Sequence, residues 1–167
     1  MPGAELSEND FVAHWRSLPR DGLIPTLSSF LDRPHPRLSP WVFILDVVSE
    51  DTLPVRLFGT RMADNFGEIT GLNFLDFLKR DLRPQVGRAH NVICSVPCGW
   101  RTSARALTTA GREVVAETVS LPLMHNGTVR CVAKLTNILQ ELDFHDGGVT
   151  VENVRPDHWI DIGAGLP

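Results

Sequence analysis

The stretch "SLPLMHNGTVRCVAKLT", residues 120–136, constrains the fold more than any other. Asn126-Gly127 stands between two apolar, β-rich runs. A type I′ turn needs positive φ at both central residues, which Asn and Gly tolerate, and its twist matches the flanking strands. The runs are therefore predicted to form a tight antiparallel hairpin. Upstream, Trp100, Thr102, Ala104 and Ala106 alternate with Arg101, Ser103 and Arg105. That is the period of a strand whose small and aromatic set faces inward. Ala110-Gly111-Arg112 reverses the chain into a strand from about Glu113 to Met124, where Pro122 points to an edge or a bulge. In the strand after the hairpin, Val129, Cys131, Ala133 and Leu135 share one face, and Arg130, Lys134 and Thr136 the other. Three meander strands thus follow one another.

Two more strands lie earlier. "WVFILDVV", residues 41–48, is a nearly continuous apolar run that reads as a central strand. A polar turn over Ser49 to Pro54 leads to a second strand, Val55 to Phe58. In "RLFGTRMADNFGEITGLNFLDFL", residues 56–78, Thr60 is placed to cap a helix carrying Met62 and Phe66 one turn apart. Gly67 stops it, and Gly71 stops the chain again before a helical turn that faces Phe74, Phe77 and Leu78 inward. Two stops so close together wrap short helical turns over a curved surface. A longer helix follows, with Asp81 as cap, Pro84 in its first turn and Val86, Ala89, His90, Ile93 and Val96 on its apolar face; Pro97 ends it.

Before this core, Ser7 or Asn9 caps a helix bearing Phe11, Trp15 and Leu18, and Pro25 to Leu31 forms a second short one. Prolines 34, 36 and 40 mark a connector. After it, Glu141 to Pro167 reads as a polar tail, with Trp159, Ile160 and Ile162 available for docking. The expected division is an N-terminal helical extension at 1–40, a domain at 41–139 and a C-terminal tail at 140–167. The expected fold class is α+β. Closing the last strand beside the first gives one five-stranded antiparallel sheet, in order 2-1-5-4-3, with short helices on one face and the N-terminal helix added.

Composition excludes several classes. With Lys+Arg 16 against Asp+Glu 20, the net charge is -4, and no basic block is present, so nucleic acid is not an expected partner. No apolar run reaches the roughly 20 residues of a membrane span. The start, "MPGAELSENDF", has neither the basic nor the apolar region of a secretory signal. Three cysteines make no even disulfide framework, so a cytoplasmic protein with reduced thiols is expected.

The element order, the "FILDVV" strand, the "FGT" strand-to-helix turn followed by "G-x-x-T-G", and the closing meander together resemble a PAS domain, of the compact stand-alone bacterial group, over Trp41 to Leu139. The resemblance implies a sensor or interaction module rather than an enzyme. It implies a ligand held between the sheet and the middle helices, and signalling through the outer sheet face and flanking segments to a separate signalling protein. It also implies a homodimer through the N-terminal helix, which assigns that interface to Phe11, Trp15 and Leu18; packing of the stripe on the domain's own sheet is the equal alternative, and the two are compatible if the helix lies across a two-fold axis. The cysteine-bearing "NCRFL"-type motif of light-sensing flavin relatives is missing, so flavin is not expected.

The expected ligand-binding set is Phe58, Arg61, Met62, Phe66, Phe77, His90, Ile93, Trp100 and Thr102. Small residues beside Trp100 leave room on the inner face, and the phenylalanines close it; the alternative is a solid core and a ligand-free adaptor. Arg61 is the residue suited to a ligand carboxylate. His90 stands where haem-binding relatives take their axial ligand, but the bland reading of a half-buried His is preferred and haem is not expected. His90, Cys94, Cys98 and Cys131 lack the paired spacing of a zinc site, so no metal is expected. Asp46 within an apolar strand needs a partner, for which Arg56 or Arg61 is available. Asp46 with His90 is the single acid/base pair an enzyme reading offers.

Overall fold

The computed structural model describes residues 6–144 and 150–167. Residues 1–5 of the expected extension and 145–149 of the expected tail lie outside that description. The order is α1 (Glu8–Ser17), α2 (Leu27–Asp32), β1 (Val42–Asp46), β2 (Val55–Phe58), α3 (Thr60–Phe66), α4 (Arg83–Ser95), β3 (Gly99–Leu107), β4 (Arg112–His125), β5 (Thr128–Phe144) and β6 (Val151–Ile160). Single 3₁₀ turns precede β1 and cover Phe74–Phe77.

The α+β class stands, but the sheet has six strands in order β2-β1-β5-β4-β3-β6, which corrects the five-stranded expectation. The five strands read from the sequence keep their places. The sixth comes from the segment read as a tail and pairs antiparallel with β3 from Gly99↔Ile160 to Ala106↔Val151. It is a polar outer strand with Pro156 in it, and bulges flank Thr102 and Ala106 in the pairing. Proline and charge suit an edge position, where one row of backbone groups needs no partner.

Local chemistry explains the element ends. The Ser7 side chain accepts from Asn9 N to cap α1, and Thr26 accepts from Ser29 N to cap α2. Gly59, not Thr60, stands at the cap of α3, and Leu82, not Asp81, at that of α4. Asn126 and Gly127 have φ of 52° and 77°, as the type I′ hairpin requires. Pro122 pairs with Val132 of β5 and lies past the last β3–β4 pair in the register, Trp100↔Ser120. Its ring therefore removes no hydrogen bond from the β3 side.

Both sheet faces are covered. On the inner face α3, the Phe74–Phe77 turn and α4 bury Phe43, Leu45, Met62, Val86, Ile93 and Trp100. On the outer face α1 and α2 bury Val42, Ile44, Val119, Leu121, Ala133 and Leu135. The stripe packs on the domain's own sheet: Phe11, Trp15 and Leu18 are 0%, 0% and 3% exposed within one chain, so these side chains are not an open surface for a second copy. Trp15 Nε1 donates to the Pro122 carbonyl at 2.9 Å, which fixes α1 on the end of β4 that lies past its pairing with β3. Among the described residues, no helix is long and apolar enough to cross a membrane.

Candidate functional site

The inner face does not close completely. A cavity of about 90 Å³ remains between the sheet and the middle helices. On the same measure a water molecule needs about 10–15 Å³, so the space holds several waters or a small organic molecule. Met62, Phe66 and Phe77 form the helical side, and Phe58, Trp100 and Thr102 stand on the sheet. Ala104, Ala106 and Ala116 also face it, and these short side chains create the room.

The sheet register sets out its floor in rows. One row runs Phe58, Phe43, Lys134, Ser120, Trp100 across β2, β1, β5, β4 and β3. The next runs Thr136, Thr118, Thr102 across β5, β4 and β3. Paired residues project to one face, so each row is a line of neighbours. Lys134 and all three threonines line the cavity.

Lys134 is the most consequential residue there. It is 4% exposed, and its Nζ lies 2.8 Å from His90 Nε2. His90 is fully buried, with Nδ1 2.7 Å from the Val86 carbonyl. A carbonyl only accepts, so Nδ1 carries the hydrogen and Nε2 accepts from Lys134. Burial, and then the charge of Lys134, push the His90 pKa well below 6.5. Burial also lowers the Lys134 pKa to about 7. The amine stands 5.7, 5.4 and 5.9 Å from the ring centres of Phe43, Phe74 and Trp100, whose faces attract its charged form. Ser120, across from Lys134 on β4, is 0% exposed, and its Oγ has no hydrogen-bond partner among the described residues.

The expected ligand set divides. Phe58, Met62, Phe66, Phe77, Trp100 and Thr102 are brought together around the cavity. His90 and Ile93 pack behind its wall in the inner core. Arg61 is corrected: it lies on the exposed side of α3, 3.8 Å from Asp64, and does not face the cavity. Lys134 is the cationic side chain that does line the cavity. The signal for Lys134 was present in the alternation of β5. Its polar set faces inward because α1 and α2 claim the apolar set.

The remaining candidates do not converge. Asp46 is paired with Arg56 at 2.7 Å and accepts from Cys131 Sγ at 3.2 Å. It alternates with inward-facing Leu45 and so lies on the outer side of the sheet, away from His90. Burial holds the thiols of Cys94, Cys98 and Cys131 up at about 12, 11 and 12, so they stay protonated. Among the described residues, no three His, Cys, Asp or Glu side chains gather as a metal site. The residues do not fit haem ligation either, because the free nitrogen of His90 is taken by Lys134 and the ring sits behind the wall.

No curated protein matches the chain. A family model described as a PAS domain matches residues 3–135, from before α1 into β5, and so takes in both N-terminal helices that the resemblance had left out. A match over most of the chain, together with the β2-β1-β5-β4-β3 core and the helices over its inner face, places this protein in the PAS domain family.

Proposed function

We propose that this PAS domain is a regulatory sensor that binds a small molecule in the inner-face cavity and passes the state of that cavity to its outer face. PAS domains are generally sensory modules rather than catalysts. The observation that carries the ligand reading is the cavity itself, about 90 Å³ with an aromatic wall and a short run of polar groups on its floor.

The route outward follows from strand alternation. On β5, Lys134 and Thr136 meet the cavity while Ala133 and Leu135 support α1 and α2. A ligand that shifts β5 therefore changes the seat of the N-terminal helices. Arg101 adds polar links on the same outer side, at 3.1 Å to Glu8 of α1, 2.8 Å to Glu117 of β4 and 3.3 Å to Asp157 of β6. These pairs are partly exposed, so each is worth at most about 1 kcal/mol and is easily exchanged. Bound and free states then differ in how often α1 is docked, a population shift that a separate signalling protein or a second copy reads. The setting in which this operates is proposed to be the cytoplasm.

Ala104→Phe tests this reading. It fills the cavity from β3, at an overpacking cost of about 1–3 kcal/mol. Hydrogen exchange of α1 amides is compared with and without the small-molecule fraction extracted from the purified wild-type protein. The reading expects a change in α1 exchange in wild type that Ala104→Phe abolishes. An identical response of the two proteins, or no response in either, overturns it.

A further inference from the structure

We propose that the ligand of this cavity is a small organic acid, with an apolar body against the aromatic wall and a carboxylate on Lys134. This rests on the ligand reading above and gives it a chemical class. The argument is one of unbalanced charge. Lys134 is the charged side chain on the cavity wall, and its neighbours there are aromatic, aliphatic or threonine. His90 accepts one of its hydrogens and, held by Val86, brings no negative charge. A buried ammonium with a neutral acceptor and aromatic faces around it still lacks a counter-ion.

The floor is built to complete such a pair. Two ammonium hydrogens remain after the bond to His90. Thr136 is two residues along β5 on the same face, with Thr118 across from it and Thr102 beyond. A carboxylate has about four lone-pair sites, enough to accept from the ammonium and a hydroxyl together. The other side of the cavity offers Met62, Phe66 and Phe77, and Phe58 stands at the β2 end of the floor; these suit a hydrocarbon body. A cationic ligand would meet the protonated Lys134 as a like charge, and a neutral one would gain no ion pair and leave the amine to lose its proton.

The test titrates hexanoate, hexanamide and hexylamine into the full chain, wild type and Lys134→Met, with binding read by methyl-resonance shifts. Wild type is expected to bind hexanoate at least ~10-fold tighter than hexanamide, the scale of one charge-assisted hydrogen bond. Lys134→Met is expected to remove that preference, so that hexanoate binds no tighter than hexanamide. If hexanoate and hexanamide bind wild type equally, the acid is refuted and the cavity remains a small-molecule site. If hexylamine binds tightest, or the preference for hexanoate survives in Lys134→Met, the role of Lys134 is refuted. If none of the three binds wild type, both the acid and the ligand reading fall. The comparison in wild type decides the ligand class even if the variant fails to fold.

Discussion

Replacing Lys134 with Met should flatten the pH dependence of stability. Burial lowers the Lys134 pKa from 10.5 to about 7. Between those values the unfolded chain holds the proton and the folded chain largely does not. The unfolded state thus binds more protons, and stability rises with pH across the window. The limiting slope is about 1.4 kcal/mol per pH unit. Because the amine is still half protonated near pH 7, the gain from about pH 7 to about pH 9 is roughly 2 kcal/mol. His90, the titratable side chain that meets Lys134, has its pKa depressed below 6.5, so its own contribution is lost only as pH falls through that lower range. The walls from β1, β3 and the Phe74–Phe77 turn present Phe43, Trp100 and Phe74 to the amine, none of which titrates. The assay is urea unfolding followed by tryptophan fluorescence at each pH, for both proteins. Wild type should gain roughly 2 kcal/mol across the window and the variant almost none of it. The offset at one pH mixes the removed charge with a stranded His90 Nε2, so the slope carries the test. Parallel profiles would refute the claim that this amine is buried with a depressed pKa.

Three further outcomes follow from the same structure. Trp15→Ala should cost about 3–5 kcal/mol in urea unfolding, since it empties a fully buried site and strands the Pro122 carbonyl; a loss below 1 kcal/mol would mean α1 is not docked in solution. Trp159→Ala should cost about 1–2 kcal/mol and raise hydrogen exchange along β3, because Trp159 stacks on Trp100 at 5.6 Å; unchanged β3 protection would refute the sixth strand. The native protein should resist alkylation by iodoacetamide near neutral pH, with burial holding Cys94, Cys98 and Cys131 at about 12, 11 and 12; rapid single-site labelling read by mass would contradict that burial.

The legible parts of the fold were those where one local rule acted without competition. Asn126-Gly127 fixed the hairpin, and the continuous apolar run at 41–48 marked a strand buried on both faces. The alternation Trp100, Thr102, Ala104, Ala106 was read with the correct inward set, because small side chains opposite arginines leave little choice. β6 was missed for the converse reason. "VENVRPDHWI" has proline, charge and weak alternation, which is what an outer strand tolerates and what a loop also shows. Its position depends on β3, some fifty residues away in sequence. Lys134 is absent from the expected ligand set because alternation gives two faces without saying which is inner. On β5 both are covered, and the polar set meets the cavity while Cys131, Ala133 and Leu135 meet the N-terminal helices. Arg61, at the start of a helix beside the expected pocket, suits either a ligand carboxylate or a surface ion pair, and the first turn of α3 points that side chain to solvent beside Asp64. The burial of Phe11, Trp15 and Leu18 was written in their helical spacing, which shows a stripe to be covered and not what covers it.

The most direct measurement is native mass spectrometry of the purified wild-type chain beside Ala104→Phe, each compared with its denatured mass. The account predicts that wild type carries an added small mass that denaturation releases, identifiable as an organic acid, and that the filled variant carries none. A bare wild-type mass that stays bare with hexanoate added, or the same added mass on both proteins, would contradict it.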